Sequence, residues 1–338
     1  LNGSDLKHII ASLGHQLLAA GVKAGDVVSL SLVNSHEIVV AFLAIQAIGA
    51  AANPLNPGYT ADEVSFYLDD TKCKHMIVHA GTPASAPVAI AAQRHNAVLL
   101  SISTTAQPAP IVSLTHPTQP LLVPTPLPTL PPVPASSVGL ILHTSGTTSR
   151  PKAVPLSLGN MLASVHNIIQ TYSFTAKDVG LLIMPLFHVH GLMCGLLAPM
   201  AAGSTVVVQA PKFSASTFLP MLAQYKVTWF TAVPTMHQIV LAKLQAMDDK
   251  QRQAVLQPIS KNLRFIRSCS SALSPATHAQ MEEIWYVNPS IIDCMSLNGI
   301  MCTVIHDYER YIHLLCYFHY FTVISPHSGV YLSWRHML

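Results

Sequence analysis

The sequence predicts an α/β fold: parallel or mixed sheets covered by helices. Three observations carry that expectation. Short apolar segments alternate with amphipathic ones along most of the chain, which is the pattern of strands joined by crossover helices. Turn residues close particular segments, as Gly49, Pro54 and Pro57 do after the second helix. Half of the 338 residues are apolar and only 10% are charged, against a usual ~25%, so the chain has the material for a large buried core.

Each element follows from local pattern. Residues 4–21 read as a helix with Ser4 as cap and Leu6, Ile9, Ile10, Leu13, Leu17 and Leu18 on one face. Residues 26–32 are a short apolar strand. Residues 36–50 form a helix closed near Gly49 and stopped by Pro54 and Pro57. Thr60 and Glu63 make a capping box for a helix over 60–68. Strand 75–79, helix 84–95 and strand 97–102 follow. Residues 108–134 hold ten of the 25 prolines and read as an extended linker or surface loop. The rhythm resumes with strands at 138–143, 179–184, 204–208, 228–233 and 265–268. Helices are expected at 158–172, 190–200, 216–225 and 235–247. Ser274-Pro275 opens another, with Glu282 and Glu283 on its solvated face. Asp248 and Asp249 read as a charged turn, and Trp229 and Phe230 as core.

Composition excludes several classes. Formal net charge is +3 and basic residues are scattered, so no nucleic-acid partner is expected. Six cysteines lack C-x-x-C spacing and read as buried free thiols. No apolar run reaches the ~20 residues of a membrane span. The expected location is the cytoplasm, with the peroxisome as the alternative. The chain opens on Leu1 rather than Met, so an incomplete N-terminus is expected. Residues 286–338 differ from the rest. They hold six of the ten tyrosines, three of the six cysteines, no lysine and five charged residues. They are expected to form a poorly ordered tail foreign to 1–285: translated intron, a shifted frame, or an atypical segment.

The sharpest motif is Leu140 to Lys152, LILHTSGTTSRPK. An apolar strand runs into small hydroxyl residues and a glycine, closed by a lysine. Backbone N–H groups and hydroxyls can donate to phosphate oxygens, Gly146 allows close approach, and Lys152 adds charge. It is not a Walker A loop, which needs glycine directly before its Lys-Ser/Thr pair. An ordinary Ser/Thr-rich turn is the plain alternative. His143, just before the loop, reads as a satisfied strand-end histidine.

Residues 144–152 resemble the signature loop of the adenylate-forming superfamily of acyl-CoA synthetases, luciferases and peptide-synthetase adenylation domains. Further matches come in the family's order: FLAIQAIGAAANPLNPGYT (42–60), PLFHVHGL (185–192), TAVPTMHQ (231–238) and LRFIRSCSSALSP (263–275). Ser149, FHVHG and RFIRSCS resemble the oxalate–CoA ligase branch. The resemblance implies the family's large N-terminal domain over 1–285, without its C-terminal lid. It also implies a two-step reaction: ATP with Mg²⁺ and a small carboxylic acid such as oxalate give an acyl-adenylate, then coenzyme A displaces AMP. By the same resemblance, Thr144, Ser145, Gly146, Thr147, Thr148 and Lys152 hold the ATP phosphates. His188 sits beside the acyl-adenylate, so that His188 and Lys152 are the catalytic candidates. Ser270, Ser271 and Ala272 line the adenine. No protein metal ligand is identified; His188-x-His190 has no third partner, and Cys294, Cys302, His306 and His313 are irregularly spaced. An oxalate pocket needs cationic or hydroxyl donors, which the sequence does not single out.

Departures from the family set a second expectation. Ala153 stands where the family has glycine, a cost of about 1 kcal/mol if that position needs φ > 0. Residues 286–338 contain no match for the family's metal-binding glutamate motif, ribose aspartate or lid lysine. The chain is therefore expected to be a catalytically incomplete fragment of an acid–CoA ligase. The alternative is a non-catalytic nucleotide-binding or regulatory partner of the full-length enzyme.

Overall fold

The computed structural model describes residues 3–105, 111–144, 150–209 and 212–285, and the backbone of 290–297 and 300–305. Helix α1 (Gly3–Ala19) leads into strand β1 (Val27–Ser31), α2 (His36–Ala47), β2 (Ala51–Pro54), α3 (Ala61–Asp70), β3 (His75–His79), α4 (Pro87–Arg94), β4 (Val98–Thr105) and β5 (Ile111–Thr115). A hairpin, β6 (Val138–Thr144) and β7 (Lys152–Ser157), completes a seven-stranded sheet of order β5-β4-β3-β1-β2-β6-β7. Its five inner strands are parallel, and both edge strands are antiparallel to their neighbours.

The second half continues through α5 (Leu158–Tyr172), β8 (Val179–Leu182), a π-helical segment (His190–Leu197), α6 (Ala198–Ala201), β9 (Thr205–Val208), α7 (Ala215–Gln224), β10 (Trp229–Ala232), α8 (Pro234–Gln245), α9 (Asp249–Ser260), β11 (Phe265–Cys269), α10 (Pro275–Trp285), β12 (Ser290–Leu297) and β13 (Ile300–Ile305). The six-stranded sheet runs β13-β12-β11-β10-β8-β9. All but β13 are parallel, so their C-terminal ends share one edge.

One core spans both sheets. It joins Leu13, Leu17, Leu30 and Phe42 to Tyr172, Leu182, Trp229 and Phe265. Its central aromatics stack: Tyr172 on Phe265 at 5.4 Å and Trp229 on Phe265 at 5.6 Å between ring centroids. Trp229 and Phe230 are core residues, as expected.

Local chemistry explains most boundaries. Thr60 and Glu63 make the expected capping box on α3. In α1 the buried stripe is Ile9, Leu13 and Leu17, while Leu18 points to solvent. That helix begins at Gly3, ahead of the expected Ser4 cap. Ser274 caps α10, its hydroxyl accepting from the Thr277 amide at 3.1 Å, and Glu282 and Glu283 are exposed.

Several elements differ from expectation. The charged turn at Asp248 and Asp249 is the start of α9: Asp248 accepts from the Gln251 amide at 2.8 Å in a capping box. Helix α9 buries little more than Ile259, so its apolar period is weak. Within the proline-rich stretch, 111–115 form β5, because the alternating residues of IVSLT bury Val112 and Leu114 against the sheet. Strand β2 is only four residues long and fully buried, too short to show a period. Ala153 lies in β7 opposite His143, in extended backbone, so the penalty for a positive φ does not arise. Within 286–338, where no element was expected, β12 continues the ladder beyond β11 and β13 turns back along it. An unpaired β11 edge offers hydrogen bonds to any extended segment that reaches it.

Candidate active site

The hairpin presents the ends of the proposed phosphate loop. Thr144 and Lys152 are cross-strand partners, and both are exposed. Ser145, Gly146, Thr147 and Thr148 lie outside the described residues. His143, one position earlier, bonds Asp70 Oδ2 through Nε2 at 2.9 Å and packs edge-on against Tyr67 at 4.6 Å. It is the satisfied histidine that the sequence suggested.

The remaining candidates gather at the C-terminal edge of the second sheet, where α/β folds place their ligand sites. The stretch after β8 carries His188 and enters the π-helical segment. Gly191 is required there: a Cβ would collide with the Pro185 carbonyl oxygen. π turns recur at functional sites. His188 is exposed, its ring tilted at 50° against Phe187 with centroids 4.6 Å apart, and desolvation by the surrounding protein lowers its pKa. Ser270, Ser271 and Ala272 follow β11 and are exposed. Ser270 has φ of 75°, a left-handed conformation costly for a residue with a Cβ.

Beneath these residues lies a buried polar cluster. Strand register builds it. Thr231 of β10 pairs with Arg267 of β11, so both side chains stand on the sheet face that also carries Trp229 and Phe265. Arg267 is fully buried. Its guanidinium donates to Tyr172 Oη at 2.8 Å, His190 Nε2 at 2.8 Å, Thr231 Oγ1 at 3.1 Å and Cys269 Sγ at 3.2 Å. His190 Nε2 also lies 2.6 Å from Thr231 Oγ1, and its Nδ1 lies 3.0 Å from Ser270 Oγ. Burial first, then the Arg267 charge, holds the His190 pKa well below its ordinary value. His237, also buried, is pushed down to about 4 by desolvation. A buried cation is expensive, and its place beside a histidine of lowered pKa makes the cluster a candidate site.

Thus the structure joins Ser270 to the His188 segment through His190. Arg267, Thr231 and Tyr172 were given no role by the sequence, and His190 was weighed only as a metal partner of His188. One signal was available: an arginine inside FIRSC, a strand otherwise apolar enough to be buried. The other arginine of that stretch, Arg264, pairs with buried Asp178 at 3.1 Å and supports the fold at the strand's start. Among the described residues no cluster of three or more His, Cys, Asp or Glu could hold a metal. No helix there is long and apolar enough to cross a membrane. Cys73, Cys194 and Cys269 are buried cysteines.

Comparison with known proteins defines the class. The family model of AMP-binding enzymes matches residues 1–313. The chain belongs to that family, the adenylate-forming enzymes. Among its relatives, a probable CoA ligase (CCL9) from Humulus lupulus is 41% identical over 84% of this chain and 52% of its own length. The oxalate–CoA ligase of Arabidopsis thaliana is 40% identical over 84% of this chain and 53% of its own. ATP-bound MatB from Rhodopseudomonas palustris shares the fold, with a TM-score of 0.68 at 22% identity over 89% of this chain and 56% of that one. The chain spans about half the length of the curated relatives it matches. Its resemblance is to acyl-CoA synthetases, including the oxalate–CoA ligase branch.

Proposed function

We propose that this chain is the substrate-activating part of an ATP-dependent acid–CoA ligase whose acid is small and anionic, oxalate being the first candidate. One observation supports that substrate class above the others. Arg267, Thr231, His190 and Ser270 make a connected set of cation and hydrogen-bonding groups at the C-terminal edge of a parallel sheet. A buried cation and its hydrogen-bonding partners beneath that edge suit an anionic acid better than an apolar one.

ATP, the Mg²⁺ that accompanies it and CoA are substrates in this reading. Thr144 and Lys152, opposite each other at the open end of the hairpin, with Ser145, Gly146, Thr147 and Thr148 between them, would hold the phosphates. The chemistry of that set fits: hydroxyls and backbone N–H groups donate, and Lys152 neutralises charge. Carboxylate attack on the α-phosphorus would form the acyl-adenylate and release pyrophosphate. His188 would border the acyl group, and Ser271 and Ala272, with the backbone of Ser270, the adenine. CoA would then displace AMP.

The reading assigns activation to residues 1–285 and places 286–338 outside that work. As a chain of 338 residues it is expected to bind nucleotide and fail to turn over. The cytoplasm or the peroxisome is its location in this reading. The test is acid-dependent exchange of labelled pyrophosphate into ATP, with oxalate, malonate, acetate and a medium-chain fatty acid. The assay is run on this chain and on a form extended by the lid of a relative. Oxalate-dependent exchange in the extended form alone is the expected result. Exchange with the fatty acid instead would overturn the substrate class. Exchange by the 338-residue chain, dependent on Lys152, would overturn its incompleteness.

A further inference from the structure

The hydrogen bonds around His190 fix its proton. Arg267 Nη1 lies 2.8 Å from His190 Nε2, and a guanidinium has donors only. Nε2 must therefore be the nitrogen with the lone pair. Thr231 Oγ1 accepts from the same Nη1 at 3.1 Å and lies 2.6 Å from Nε2. A doubly protonated ring would set N–H against N–H, so the ring is neutral and its proton is on Nδ1. That nitrogen faces Ser270 Oγ at 3.0 Å. Nδ1 donates, Oγ accepts, and the Ser270 hydroxyl proton has to turn elsewhere. Ser270 is exposed and held at φ of 75° at the end of β11, so the free side of its hydroxyl is the solvent side.

We propose that Arg267 and His190 form a one-way hydrogen-bond relay that makes Ser270 an oriented donor to an anionic oxygen of the bound ligand, a carboxylate in the reaction proposed above. The direction cannot reverse, because its first member has no acceptor. Each bond polarises the next, so the positive end of the chain emerges at Ser270. Ser270 is the residue that touches ligand. Arg267 and His190 are positioning residues that act through it. The inference deepens the ligase reading and rests on it for the identity of the carboxylate, whereas the proton positions stand on geometry alone.

The same geometry says why the buried cation is kept. An apolar residue would pack beside Phe265 and Trp229 at less cost. It would leave the His190 tautomer unspecified, and Ser270 would then present a lone pair as readily as a proton. The groups facing His190 are Arg267, Thr231 and Ser270 by hydrogen bond, with His237 and His188 acting at longer range.

The test combines tautomer and binding measurements on the 338-residue chain. ¹⁵N imidazole shifts of His190 are recorded for wild type, Arg267→Met and Arg267→Lys. Oxalate, AMP and inorganic phosphate are titrated calorimetrically into wild type, Ser270→Ala, Arg267→Met, the double variant, His190→Leu and His190→Asn. The expected result is an Nδ1–H tautomer in wild type that Arg267→Met abolishes and Arg267→Lys retains. Oxalate binding should weaken about tenfold in Ser270→Ala, as for one hydrogen bond to a charged group. It should weaken to the same extent in Arg267→Met and no further in the double variant. His190→Asn, whose amide N–H stands in for Nδ1–H, should restore binding that His190→Leu loses; this pair also serves if Arg267→Met does not fold. An Nε2–H tautomer in wild type, or additive losses in the double variant, would overturn the relay. Relay-dependent binding of AMP or phosphate in place of oxalate would leave the relay standing and move the anion from acid to nucleotide, against the substrate reading. Binding of none of the three would overturn the donor role of Ser270.

Discussion

Asn34 and Leu186 tie the two sheets together at the edge that carries the site. The Asn34 side chain accepts from the Leu186 amide and donates to the Met184 carbonyl, both at 2.9 Å. Asn34 follows β1 of the first sheet; Met184 and Leu186 follow β8 of the second. A single buried amide thus sets the position of the segment that carries His188 and His190. Asn34→Ala leaves a buried N–H and a buried carbonyl without this partner. The expected loss is about 2 kcal/mol, read by urea unfolding, with faster hydrogen exchange at the Leu186 amide. Unchanged exchange there would show that the segment is held by other contacts.

Ser270 combines a strained backbone with a hydroxyl in the polar cluster. Glycine relieves the strain at φ of 75°, and alanine does not. Both lose the hydroxyl. Ser270→Gly should therefore be about 1 kcal/mol more stable than Ser270→Ala, while both bind anion equally poorly. A Gly variant no more stable than Ala would mean that the surrounding fold, rather than the residue, absorbs the strain.

His237 gives a defined acid limb to stability. Its folded pKa, about 4, lies below the ordinary histidine value because of desolvation. Between pH 6.5 and 4 the unfolded state takes up a proton that the folded state refuses. Stability from this group is thus complete above pH 6.5 and is lost as pH falls towards 4, by about 3 kcal/mol in all. His190, shifted in the same direction, adds to the loss. Denaturant midpoints measured from pH 7.5 to 4.5 should fall less steeply in His237→Gln than in wild type. An identical slope would remove His237 as a source.

Lys152 is exposed at the mouth of the hairpin. Lys152→Ala should leave the melting temperature within what ~0.5 kcal/mol allows and weaken Mg–ATP binding about tenfold, as loss of a charge-assisted contact does. Equal ATP affinity in both proteins would detach the hairpin from nucleotide binding.

How legible the site was depends on what kind of information each residue carries. The loop from Thr144 to Lys152 was visible because its chemistry is contiguous: hydroxyls, a glycine and a lysine in one short run. His188 and Ser270 to Ala272 were visible as family motifs. Arg267 lay inside one of those motifs without a role, because its role comes from register. It becomes a site residue only when Thr231 lies opposite it in the sheet and His190 covers it from the π-helical segment. Helix α9 was missed for the opposite reason: its apolar face is too thin to give a period, and its capping box was read as a turn.

Local sequence determined the elements that satisfy themselves. Capping at Thr60 and Ser274, the buried stripe of α1 and the alternation of strands and helices each need only neighbours within a few residues. The same holds for the class of protein, since its motifs are contiguous. Tertiary structure decided what depends on residues far apart in the chain. It set the protonation of His190, the outward turn of the Ser270 hydroxyl, and the tolerance of a buried guanidinium. Burial and partners fix these properties, and both are supplied by strands and helices 36 to 95 residues away from Arg267.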